Sequence, residues 1–428
     1  MLEKMYILRQ SYLDEIIKRA WNGNVKVITG LRRSGKSVLL FHLYKDYLIK
    51  NGVNLNNIIE FKLDKIDHYI YRNPLTLYCK VKELIKNSEK YYLFIDEIQM
   101  SVEVKDETTN LNISIYDLLN GLKDIPNLDV YVTGSNSKML SKDILTKFRV
   151  RSSQIHVHPL SFKEYYDYYG GNEDILLKEY MITGGMPHII NETSIEDKMN
   201  YLKNLYNEIY IKDIIERNNV KRKDVLDDLL DYLASAISSL TNTNKITNTL
   251  NSVHKDKLSH ELVSNYVDYI LDSFLVSKAR RYDVKGKTYF EFLNKFYYED
   301  IGLRNARLNF RQLDSGHIME NILYNELIRR GYSVDVGAIK IRTSNSSGYV
   351  EVDFVVNYLD KKIYIQSAFQ MDDDIKVKQE LRPLTLTGDF FKKVVVRNDI
   401  LISHYDENGI YHCKLTDFLL GRVDLING

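Results

Sequence analysis

The chain has 428 residues, of which 44% are apolar and 27% charged, with a net charge of +1. That is length enough for two to four domains with full cores, and the balanced charge excludes a global basic field drawing the protein onto nucleic acid. Two cysteines far apart in sequence, Cys79 and Cys413, predict free thiols in a reducing compartment. A charged N-terminal stretch and the lack of any apolar run near the ~18 residues that span a bilayer predict a cytoplasmic protein without membrane contact.

Residues 25–29 (VKVIT) read as a buried strand, and 36–50 as a helix with apolar Val38, Leu39, Leu43 and Leu48. Further strands are predicted at 57–63, 91–96, 129–135 and 152–158, with helices around 75–87, 114–123 and 137–148. This alternation predicts an α/β core, a parallel five-strand sheet covered on both faces and ending near residue 160. Residues 161–220 read as helical apart from the break TGGMPH (183–188). Residues 221–287 hold short helices followed by two alternating runs joined by DVKGK, a hairpin signal; helices then a hairpin suggest a winged helix. The remainder, 288–428, opens on KFYYED, passes through an amphipathic helix at 318–330, and then alternates through YVEVDFVV, KKIYIQSAF, FKKVVVR and ILISHYD as strands.

The turn after the first strand is GLRRSGKS, which fills every fixed position of G-x-x-x-x-G-K-[ST] between a strand and a helix. Gly30 and Gly35 allow backbone angles that turn successive N–H groups toward phosphates, and the helix N-terminus adds positive potential. Lys36 is expected to reach the β- and γ-phosphates and Ser37 to ligate Mg²⁺. Arg33, Ser34 and Val38 complete the candidate cradle; the side chains of Arg32 and Arg33 could face the phosphates or a partner surface. About 60 residues on, YYLFIDEIQ ends an apolar strand in Asp96 and Glu97. Asp96 is expected to hold Mg²⁺ through water, and Glu97 to polarise the attacking water as general base. The strand at 57–63 fits the branch in which one strand is inserted between the loop strand and the acidic strand.

VYVTGSNS offers Thr133, Ser135 and Asn136 as a polar sensor at a strand end, with Ser135 preferred; a helix-capping turn is the alternative. Arg149 and Arg151 could stabilise transition-state charge, in the manner of an arginine supplied by a neighbouring subunit of a homo-oligomer, or could be a solvated surface pair. His156 and His158 alternate on a strand with no cysteine or further histidine pair nearby, so no zinc site is predicted.

The stretches VITGLRRSGKS, LFIDEIQ, VTGSNS…LTKFRVR, HPLSFKEY, GGMP, YIKDIIERN and YYEDIGLRNA together span nearly the whole chain. In their combination the sequence resembles the AAA-type ATPases of bacteria and archaea that carry a C-terminal domain of unknown function (DUF4143-type) related to restriction-endonuclease folds. The resemblance implies ATP and ADP as ligands, with Mg²⁺ as cofactor. It divides the chain into a P-loop NTPase core (1–160), a helical lid (161–220), a winged helix (221–287) and an endonuclease-like α/β domain (288–428). It sets Gly185 and Pro187 of a Gly-Met-Pro turn beside the nucleotide, where a plain interhelical turn would give the same residues, and Arg9 by the adenine.

The same resemblance assigns Glu320 as helix acid and Asp353 as strand acid of a nuclease fold. The third element reads Gln366-Ser367-Ala368, with an amide and an alanine where a carboxylate and lysine would work. Lys361 and Lys362 lie at the start of that strand. A degenerate, binding-only domain is therefore expected, with an ATP-regulated DNA-cleaving protein as the alternative. DNA contact through the winged helix is equally open with protein packing: residues 221–287 hold 11 Lys/Arg against 9 Asp/Glu, a net +2, and the candidate recognition helix exposes Glu261, Asp268 and Asp272.

Overall fold

Apolar runs with β-branched residues set the first sheet. The computed structural model describes residues 6–106, 110–135, 152–254, 256–342 and 347–425. Its first strands are Val25–Thr29 (β1), Ile58–Lys62 (β2) and Tyr91–Asp96 (β3), then the short pair Val104–Lys105 (β4) and Asn112–Ile113 (β5), then Leu128–Gly134 (β6) and Ser152–His156 (β7). β2, β3, β6, β1 and β7 lie side by side in that order, all parallel.

The strand lying between β1 and β3 is β6, which corrects the expectation that residues 57–63 supply it. Every residue of β6 is buried, as a central strand requires, whereas Glu60 and Lys62 leave β2 half-covered at the edge. Side-chain alternation gives the sheet two apolar faces. Val25, Val27, Leu93, Ile95, Val130 and Val132 pack with Leu118 and Leu122 of the helix Ile115–Lys123. Ile28, Phe94, Tyr131 and Ile155 pack with Leu39, Leu40 and Tyr44 of the helical run 36–50, and with Ile16 of the helix Gln10–Arg19. The second face also buries Lys26, paired with Asp129, whose other oxygen accepts from the Tyr131 hydroxyl at 2.7 Å.

The chain divides into two compact units: residues 1–159 with 272–274, and residues 160–271 with 275–428. The second unit begins with helices, among them Phe162–Tyr169, Glu173–Thr183, Ile195–Leu205 and Lys212–Asn218, each break marked by a turn or cap such as the Ser161–Glu164 capping box. Lys223–Ser235, Thr243–Val253 and His260–Asp272 follow, ahead of the hairpin Val276–Asp283 (β8) and Thr288–Tyr298 (β9).

That hairpin does not stand alone as a wing. β8 pairs in parallel with Ser333–Arg342 (β10), so the expected boundary between 287 and 288 falls between two strands of one sheet. The sheet continues through Ser347–Tyr358 (β11), Lys361–Ala368 (β12), Lys392–Arg397 (β13), His404–Tyr405 (β14) and Tyr411–Lys414 (β15). Its order is β14-β15-β13-β12-β11-β10-β8-β9. Helices Ser315–Arg329 and Asp374–Thr385 pack on it. Of ILISHYD only His404–Tyr405 is strand; Leu401 and Ile402 are exposed loop. No helix among the described residues is long and apolar enough to cross a membrane.

Candidate nucleotide site

The loop 30–37 leaves β1 at its C-terminal end, with left-handed backbone at Gly30 (φ 141°), Arg33 (φ 64°) and Gly35 (φ 100°). Gly30 is fixed by packing as well as by angle. A Cβ there would lie 2.2 Å from the Val157 carbonyl oxygen. The helix starts at Lys36, with Leu39 N–H donating to the Gly35 carbonyl at 2.9 Å. Lys36 is buried, and its Nζ donates to the Gly30 and Leu31 carbonyls at 3.0 and 2.9 Å, within the loop's own curve. Ser34 is also buried, Ser37 and Val38 are half-buried, and Arg32 and Arg33 are exposed.

Arg9 lies beneath this loop, its guanidinium on three carbonyls: Ser34 at 3.0 Å, His158 at 2.8 Å and Pro159 at 3.3 Å. It stacks 4.5 Å from the Tyr12 ring centroid. Its visible work is to fasten the phosphate loop to the chain leaving β7, a role sequence spacing did not suggest.

The neighbouring strand ends bring the acids to the same edge. Ser37 Oγ donates to Asp96 Oδ1 at 3.0 Å, and Thr133 Oγ1 donates to the same oxygen. Thr133 Oγ1 in turn accepts from the Glu97 N–H at 3.1 Å. Burial pushes the Asp96 carboxyl up and the Glu97 carboxylate adds to that, while the Thr133 and Ser37 hydroxyls pull it back. Glu97 takes a left-handed φ of 54°, a conformation costly for a non-glycine residue and characteristic of sites where direction matters. Its carboxylate is met by Gln99 Nε2 and by Ser135 Oγ at 3.3 Å.

The two described sensor candidates thus divide: Thr133 touches Asp96, Ser135 touches Glu97. Asn136, Arg149 and Arg151 lie outside the described residues. The His156 ring sits 3.3 Å from Thr29 Oγ1 and 4.5 Å, centroid to centroid, from His158.

Residues 22–166 match the family described as AAA domain, and residues 174–314 match a domain of unknown function, DUF8612. The chain is 31% identical over 408 residues to an uncharacterized protein of Haemophilus influenzae, covering 92% of this chain and 96% of that one. The chain belongs to that protein's family. A Methanocaldococcus jannaschii protein is similar too, 29% identical over 411 residues, 89% of this chain and 85% of that one. Among solved structures, a Walker-type ATPase of Pyrococcus abyssi aligns over 71% of this chain and 96% of its own at 13% identity and a TM-score of 0.48. Cdc6p of Pyrobaculum aerophilum aligns over 75% and 97% at 14% identity and a TM-score of 0.30. In this chain the matching domain is DUF8612, not the DUF4143 type; the match runs over the helices and the β8–β9 hairpin rather than over β10–β15.

In the second unit of this chain, Gly185 takes part in a lock. The Gly185 carbonyl accepts from Leu160 N–H at 2.7 Å and its N–H donates to Asp300 at 2.6 Å; Pro187 opens a short turn, Pro187–Asn191. Asp300 also caps the helix Ile301–Arg307 by accepting from Leu303 N–H at 3.0 Å, and burial pushes its carboxyl up to about 6. This joins GGMP to YYEDIGLRNA. Asp300→Ala removes a helix cap and strands a buried N–H, and should cost about 2–3 kcal/mol of unfolding free energy, read from urea denaturation.

The expected nuclease positions also converge. Glu320, on Ser315–Arg329, and Asp353, on β11, flank Lys295 of β9, whose Nζ lies 2.8 Å from Glu320, 2.7 Å from Glu351 and 3.6 Å from Asp353. Tyr297 Oη donates to Glu320 at 2.7 Å. Asp353 Oδ2 accepts from Ser367 N–H at 2.8 Å, and Gln366 lies between Asp353 N–H and Glu380, 3.4 Å from each. Lys361 and Lys362 pair with Tyr358 and Asn357 at the far end of β12, and Lys362 lies over the Tyr282 and Phe391 rings.

The lysine among the acids comes from a different strand, and sequence reading missed it. Burial alone would push its ammonium down; Glu320, Asp353 and Glu351 outweigh burial and hold it charged.

Proposed function

We propose that this protein binds ATP and hydrolyses it with Mg²⁺, using the cycle as a molecular switch or motor. The observation that carries this reading is the continuous chain Ser37–Asp96–Thr133–Glu97 at the edge where the Lys36 loop leaves the sheet. Ser37 and Asp96 present oxygen donors, the ligand type magnesium takes, and would hold the ion. When bound, Mg²⁺ neutralises charge on phosphate oxygens. Lys36 would exchange its loop carbonyls for phosphate oxygens, and Glu97 would accept the proton of the attacking water. Arg149 or Arg151, in a homo-oligomer, would supply further positive charge.

We assign the β8–β15 sheet a binding role of nuclease-like ancestry. Gln366 and Ala368 in place of a carboxylate and a lysine support that reading, as does the ammonium of Lys295 between the remaining acids. DNA or protein contact by the helices at 223–272 belongs to the same proposal.

Nucleotide binding tests the core of it. Lys36→Ala should weaken ATP binding by about 10²-fold, the worth of a charge-assisted bond to phosphate. Titration calorimetry of wild type beside the variant reads this directly, and equal affinities would sink the assignment of the loop.

A further inference from the structure

Gln99 is the unexplained member of the site. It follows Glu97 by two residues on the turn Ile98–Met100, which accounts for its presence but not for its direction. Its Nε2 donates to Glu97 Oε2 and lies 3.2 Å from Ser135 Oγ, which itself approaches the same Glu97 oxygen at 3.3 Å. The amide orientation follows from chemistry, since an oxygen turned toward the carboxylate would be repelled. The other end of the amide, Gln99 Oε1, is buried and has no hydrogen-bond partner among the described residues. A buried carbonyl acceptor left unmatched costs free energy, and such a group marks a place where a donor is expected.

We propose that Gln99 is a positioning residue for hydrolysis, fixing the Glu97 carboxylate through its Nε2 and presenting Oε1 to an O–H of the water that Glu97 deprotonates. The inference rests on the hydrolase reading above. Glu97 sits in a strained left-handed conformation with its N–H tied to Thr133. The backbone tie sets where the side chain starts, and Gln99 with Ser135 sets where it ends. Both O–H bonds of one water could then be directed, one to the Glu97 carboxylate and one to the Gln99 carbonyl. Directing an attacking water by a glutamine amide is an established solution in nucleotide hydrolysis. Here it would come from the turn immediately after the acidic strand.

Steady-state ATP turnover, fluorescent-nucleotide binding and thermal melting, all on the full chain, test this. Gln99→Ala should lower kcat by about 10²-fold, the cost of a misplaced reacting group, with nucleotide affinity, KM and melting temperature unchanged. Gln99→Glu keeps an oxygen but loses the donor to Glu97, and should be impaired as well. Because both contacts of Gln99 serve the one water that Glu97 deprotonates, Gln99→Ala placed on Glu97→Gln should be no more than about twofold slower than Glu97→Gln alone.

Wild-type turnover matched by Gln99→Ala overturns this inference and leaves the hydrolase reading standing. So does a full extra loss in the double variant, or a loss of affinity and melting temperature in proportion to kcat. Wild-type turnover no faster than that of Glu97→Gln overturns both.

Discussion

Glu97→Gln should keep ATP bound and stall, lowering kcat by about 10²–10³-fold while nucleotide affinity stays within about twofold of wild type. The substitution preserves shape and keeps an amide oxygen on the side chain. What it removes is the proton acceptor. Thr133, Ser37 and the loop lie on Asp96 or on the Glu97 backbone N–H, so none of the contacts expected to hold nucleotide depends on the Glu97 carboxylate. Single-turnover hydrolysis with bound nucleotide separates chemistry from release. If wild type turns over no faster than the variant, Glu97 is not the base and the protein is a nucleotide-binding switch without appreciable hydrolysis. The contrast with Lys36→Ala is diagnostic, because that change removes a phosphate contact and should act on affinity.

Lys295→Met should destabilise the protein by about 3–5 kcal/mol, the usual cost of removing one partner from a buried ionic cluster. The lysine side chain is 2% exposed, and its removal leaves Glu320 and Asp353 facing each other with Glu351 nearby. Like charges held together in low dielectric resist ionisation. In the variant these carboxyls would bind protons more tightly folded than unfolded, so stability falls as pH rises. The deficit relative to wild type should therefore shrink as pH is lowered from about 8 to about 5, as read by urea midpoints at each pH. A deficit independent of pH would mean that lost packing, and not uncompensated charge, is the cause.

How much was legible varies with how local the signal is. GLRRSGKS and IDEIQ carry their geometry in consecutive residues, and the strands around them, Val25–Thr29 and Tyr91–Asp96, have the predicted bounds. The choice between Thr133 and Ser135 was not legible, because it depends on how far β6 runs relative to β3. That register is a property of the sheet. Lys295 was invisible for a similar reason. Its partners lie 25, 56 and 58 positions away, and no spacing rule connects β9 to the helix and to β11. The β8–β9 hairpin was read correctly as a hairpin, but its parallel partner β10 lies some 50 residues on, and without that pairing it reads as a wing. Leu401 and Ile402 have strand-like side chains yet stay exposed, showing that apolar content without a pairing edge does not make a strand.

The contacts of Arg9 bear on where the AAA-domain unit can be cut. The family match begins at residue 22, a natural start for a recombinant fragment. Such a fragment would omit the arginine that joins Ser34 to His158 and Pro159, and with it the helix whose Ile16 is fully buried against the sheet. The smallest piece able to hold its phosphate loop in shape therefore starts upstream of the recognisable domain, and inactivity of a shorter one would report on its truncation rather than on its chemistry.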